Sequence, residues 1–148
     1  MNPGLNRTEL ILLVAAAVIS VCGLAEATYL TVSHLTGETL LCGGSADCSQ
    51  VLASKYAAVG PVPVAALGAL AYFVAFSCAI FAAFEYRGAR KALMVTALAM
   101  LAATLWLIYV QAFLLHTFCR YCLFSAALIF FLNGINIMIP NSPNETLE

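Results

Sequence analysis

Four of the six cysteines in this 148-residue chain fall into two pairs set by spacing. Cys42 and Cys48 bracket the small-residue loop "LCGGSADCSQ", and Cys119 and Cys122 form a C-x-x-C motif, "CRYC". The chemistry open to such pairs is thiol–disulfide exchange, in which a thiolate attacks a disulfide through a mixed-disulfide intermediate. On a helix, C-x-x-C brings both sulfurs onto one turn. Cys119 would lie in the first turn, where the positive end of the helix dipole and the neighbouring Arg120 favour a thiolate. A lowered pKa makes a better leaving group, so such a disulfide is readily reduced. A bridge that closes a two-residue loop constrains the unfolded chain only weakly, so C-x-x-C reads as redox chemistry rather than a staple. The glycine-rich loop pair is read as a mobile shuttle, with a structural disulfide as its alternative. A zinc site is a weaker reading. C-x₂-C is a common half-site, but the other half here is C-x₅-C, and no histidine completes a set of typical spacing. His34 and His116 read as interface residues. Cys22 and Cys78 lie inside apolar stretches and read as small packing groups.

The elements that must position these thiols are membrane spans. The chain is 64% hydrophobic and 9% charged, whereas soluble domains are roughly half apolar and about a quarter charged. A net charge of −1 gives no sign of a nucleic-acid partner. Phosphate-loop, dinucleotide, zinc-protease and serine-hydrolase motifs are absent from the sequence. A spanning helix needs about 20 apolar residues, and four segments qualify: 10–33, 64–84, 92–115 and 119–138. The polar patch "HTFCRY" divides the last two as a hairpin turn. Residues 34–63 form a loop in which "DCSQVLASKYAAVG" is expected to make a short amphipathic helix, with Asp47 as its N-cap and Val51, Leu52 and Tyr56 on its apolar face. Gly60, Pro61 and Pro63 then redirect the chain. The expected fold is an all-α bundle of four transmembrane helices in a single domain, 1–148.

Four of the six cations, Arg7, Arg87, Arg90 and Lys91, fall on one side if both chain ends are cytoplasmic. The 34–63 loop and the turn at Cys119 then share the opposite, extracytoplasmic face, the compartment in which disulfides persist. The resulting expectation is a relay. The loop pair takes electrons from an external dithiol and reduces Cys119–Cys122, and a lipid-soluble quinone at membrane depth is the final acceptor. The competing expectation is a non-enzymatic four-helix scaffold with structural disulfides. Glu26 is a carboxylate inside the first span and therefore a functional candidate. Its place near the outer end reads as an interfacial or neutral buried group.

The motifs "YLTVSH", "LCGGSADCSQVLASKYAAVGPVPVAALGALAY" and "FCRYC" make the chain resemble the vitamin K epoxide reductase family, in its bacterial form. The resemblance implies a four-helix bundle around a quinone pocket in the bacterial cytoplasmic membrane. Cys119 and Cys122 would be the active pair, with Cys122 facing the quinone. Cys48 would attack Cys119, and Cys42 would exchange with a thioredoxin-like periplasmic partner. Ser54 matches a family Ser/Thr position near the active site. The quinone would be of the ubiquinone, menaquinone or phylloquinone type, with no metal involved. Animal members carry an Asn in the second-helix region and a Tyr four residues after the last active Cys. Here the second span has no Asn, and Ala126 stands at the Tyr position. Those departures point to quinone reduction rather than epoxide reduction. Bacterial relatives with a fused thioredoxin-like domain extend beyond the fourth span, so a separate partner is expected.

Overall fold

The computed structural model describes residues 5–36, 54–56, 58–86 and 88–139. Four helices account for most of them. Helix α1 is Arg7–Thr36 and α2 is Val64–Ala83. Helix α3 is Ala89–Tyr109, continued by a π-helical turn at Val110–Leu115, and α4 is Arg120–Met138. All four are long and apolar enough to cross a membrane, as expected for an all-α membrane bundle. Large side chains such as Val14, Val18, Phe73, Phe81, Phe130 and Phe131 point outward. In lipid this costs nothing, because acyl chains are as apolar as the side chains they meet.

The helices pack in a ring, with α1 against α2, α2 against α3, α3 against α4, and α4 back against α1. The α1–α2 seam is the most extensive, and its residue sizes explain why. Ala16, Ala17, Ser20, Gly23 and Ala27 recur at helical spacing on α1, facing Ala75, Ala79 and Ala82 of α2. Small side chains let two backbones approach closely where no hydrophobic drive separates protein from lipid. Gly23 is the tightest point, since a Cβ there would overlap the Tyr72 ring. Between α3 and α4 the glue is polar. The buried Asn133 side chain donates to the Ala97 carbonyl across the seam at 3.0 Å and to Ile129 in its own helix at 2.9 Å.

The two ends of the bundle differ. At one, the Arg90 guanidinium at the start of α3 meets the Glu9 carboxylate in the first turn of α1 at 3.3 Å. Glu9 also accepts from the Asn6 backbone N–H, half of a capping box, and its charge suits the positive end of the α1 dipole. The α2–α3 link lies at this end. Helix α2 finishes in a Schellman arrangement, with Tyr86 N–H donating to Phe81 O at 2.9 Å and Glu85 N–H to Ala82 O at 3.0 Å.

The other end carries the α3–α4 turn and the approach to α2. A two-residue hairpin, β1 (Ala58–Val59) with β2 (Val62–Pro63), delivers the chain into α2. Gly60 sits at φ 63° in its turn, which a two-residue hairpin demands at that position. Of the segment expected to form an amphipathic helix, residues 54–56 and 58–60 are described: 54–56 bend and turn, and Ala58 and Val59 pair with Pro63 and Val62. The start of that segment, including Asp47, Val51 and Leu52, lies outside the described residues. At this same end Trp106, Tyr109 and Phe113 form an aromatic ladder along α3, with centroids 5.9 and 5.1 Å apart. Trp and Tyr at a helix end mark the headgroup level of a bilayer.

Candidate functional site

The C-x-x-C pair is positioned by the way α3 ends. The π-helical turn Val110–Leu115 carries one residue more per turn than an α-helix, a feature often found at functional sites. Within it Val110 and Gln111 are buried. His116 then adopts the left-handed conformation, φ 52°, and stops the helix. The chain re-enters as α4 with Cys119 at its N-cap. The Cys119 N–H, which no helical carbonyl could satisfy, donates to Gln111 Oε1 at 3.0 Å. A polar side chain in the third span thus anchors the start of the fourth.

Cys119 is fully buried beside Leu115, Tyr121 and Cys122. Both Cys119 and Cys122 are free thiols. The Cys122 thiol donating to the Cys119 sulfur is the largest influence on Cys119. Burial opposes it, and the backbone N–H groups of Cys122 and Tyr121 at the helix start reinforce it. The net effect holds the Cys119 thiol well below the ordinary thiol range. The two cysteines of the motif are therefore unequal, with Cys119 as thiolate and Cys122 as its donor.

Cys122 opens onto a cavity of about 480 Å³ enclosed by all four helices. That volume is in the range of pockets that hold small organic ligands. The walls are mostly apolar, and the polar groups among them are few: Glu26 from α1, Tyr72 from α2, Thr96, Thr104 and Gln111 from α3, Ser125 from α4, and Ser54 and Tyr56 ahead of the hairpin. Tyr72 is buried against Gly23, and its hydroxyl lies 2.8 Å from Ser125 Oγ. Tyr29 and Tyr121, with rings 5.9 Å apart, tie the end of α1 to the start of α4 beside the thiols.

The structure thus gathers Cys119, Cys122 and Ser54 at one end of the bundle. Cys122 and Ser54 line the cavity, and Cys119 lies behind its wall. Cys42 and Cys48 fall outside the described residues. Cys22 is exposed on the outer surface of α1, and Cys78 is half-buried against the core. Ala126 also lines the cavity, at the position where the animal members' Tyr was expected to be missing. Three participants were not singled out from sequence: Gln111, Tyr72 and Ser125. Gln111 carried a usable signal, because an uncharged polar side chain inside an apolar span must find a partner. Tyr72 and Ser125 carried none, since their pairing joins residues 53 positions apart.

Residues 14–137 match the model of the Vitamin K epoxide reductase family. No curated protein matches the chain at a significant level.

Proposed function

Because the chain belongs to the vitamin K epoxide reductase family, and is thereby a membrane oxidoreductase, we propose that it oxidises thiols at the expense of a membrane quinone. In this reading the Cys119/Cys122 dithiol reduces quinone to quinol and becomes a disulfide. Two electrons leave the pair for the quinone, the Cys122 thiol supplies one of the quinol protons, and water supplies the other because Cys119 reacts as the thiolate. The observation that carries the reading is the asymmetry of the pair: Cys122 forms part of the cavity wall, and Cys119 lies behind it. A cavity with mostly apolar walls suits a quinone ring, and its place in the bundle suits a substrate that arrives through lipid.

The remainder of the cycle rests on the family resemblance. Cys48 attacks Cys119, whose lowered pKa makes it the better leaving group. Cys42 then accepts electrons from a thioredoxin-like dithiol protein on the extracytoplasmic face of a bacterial inner membrane. The net result supports disulfide formation in secreted proteins. Ser54, on the cavity wall, supports the bound quinone.

The purified protein mixed with a reduced thioredoxin-like protein and a quinone should consume quinone absorbance. The Cys122→Ala variant should consume none. Turnover that persists undiminished in Cys122→Ala would overturn the assignment in favour of a scaffold whose disulfides are structural.

A further inference from the structure

The reaction proposed above moves protons as well as electrons, and a mostly apolar cavity offers few carriers. Most polar groups in its walls are already engaged. The Thr104 hydroxyl donates to Met100 O at 2.7 Å, Gln111 Oε1 accepts from the Cys119 N–H at 3.0 Å, and the Tyr72 and Ser125 hydroxyls pair at 2.8 Å. Glu26 is not. Both of its carboxyl oxygens are buried and have no hydrogen-bond partner among the described residues, and the side chain lines the cavity. Leaving such a group unpaired is unfavourable unless a ligand or a transferable proton completes it.

Resting on the quinone reading, we propose that Glu26 is the proton-transfer group of this site, donating its proton to a quinone oxygen and being reprotonated by the Cys122 thiol. The titratable groups that face it fit that path. Cys119 and Cys122 from α4 and Tyr72 from α2 lie within its electrostatic reach. Tyr56 lines the same cavity ahead of the hairpin, and α3 presents no titratable side chain to it. The pair, Cys119 as thiolate and Cys122 as thiol, loses two electrons and one proton as the S–S bond forms. The quinone gains both electrons, one proton through Glu26 and a second from water, and Glu26 regains its proton from Cys122.

The test uses the full chain in lipid nanodiscs, dithiothreitol as electron donor, and a short-chain ubiquinone and a short-chain menaquinone as acceptors, across a range of pH. Glu26→Gln keeps shape and hydrogen bonding but cannot carry the proton. It should lower kcat about 100-fold, the scale of general acid–base catalysis, with KM little changed. A proton donor works only while protonated, so wild-type kcat should fall on the alkaline side, and Glu26→Gln should lose that fall. Glu26→Asp should recover part of kcat together with the alkaline fall. Wild-type kcat and pH profile in Glu26→Gln would overturn the proposal, as would a change confined to KM. If Glu26→Gln does not fold, Glu26→Asp decides: a lowered kcat with a normal solvent deuterium isotope effect supports the role, and an unchanged kcat without one overturns it. A wild-type protein that reduces neither quinone would overturn the parent reading and this one together, an outcome distinct from loss of the Glu26 effect alone.

Discussion

Cys119 and Cys122 share a motif but not an environment. Cys119 receives hydrogen bonds from the Cys122 thiol and from two backbone N–H groups, while Cys122 faces the cavity. The lowering of Cys119 has a direct consequence. The thiolate is the species that leaves and attacks, and it persists above the pKa and is lost as pH falls through it. A variant retaining only Cys119 and Cys122 should develop ultraviolet thiolate absorbance with a midpoint below the ~8.5 of an ordinary thiol. Because the Cys122 thiol is the largest cause, Cys122→Ala should move the midpoint back toward the ordinary value, whereas Cys122→Ser, which keeps a donor, should move it less. A midpoint insensitive to both substitutions would assign the lowering to the helix start instead.

At the scale of elements, the α1–α2 seam sets the shape of the cavity. Gly23 allows Tyr72 to lie across α1, and from there the Tyr72 hydroxyl reaches Ser125 on α4. One glycine therefore links three helices. Gly23→Ala should cost about 1–3 kcal/mol, as overpacking of a full interior does, and should impair quinone turnover by displacing Tyr72. Gly134→Ala is the control, because no heavy atom lies within 4 Å of the added methyl and alanine is the better helix former by about 1 kcal/mol. Thermal unfolding in detergent should show a lower midpoint for the first variant and none for the second. The third helix contributes differently. Its π-helical turn and the Gln111 carbonyl hold the start of α4, so the position of the thiols depends on a residue eight positions away in another element.

For the whole molecule, the ring of four helices makes the cavity a shared product, with each helix supplying part of its wall. The same up-and-down path separates the ends. The Glu9–Arg90 pair marks one end, and Ser54, Tyr56 and the thiols mark the other. If the cation-rich end is cytoplasmic, as the positive-inside rule requires, a membrane-impermeant amine reagent applied to the outer face should modify Lys55 and spare Lys91. The reverse labelling would invert the topology and place the thiols in a reducing compartment.

Composition and the length of the apolar runs were enough to establish a four-span membrane bundle, because lipid admits few backbone solutions and each span carries its own hydrogen bonds. The C-x-x-C spacing likewise put Cys119 and Cys122 side by side, since neighbours on one helical turn need no distant partner to meet. The hairpin ahead of α2 was not legible, because Ala58 and Val59 find their strand partners across a turn at Gly60-Pro61. Which polar side chains surround Cys122 was not legible either. Glu26, Tyr72, Gln111 and Ser125 come from four helices and meet only when the helices close into a ring. That closure depends on packing details such as the absent Cβ at Gly23. Periodicity along a span tells nothing about which residue of another span will stand opposite.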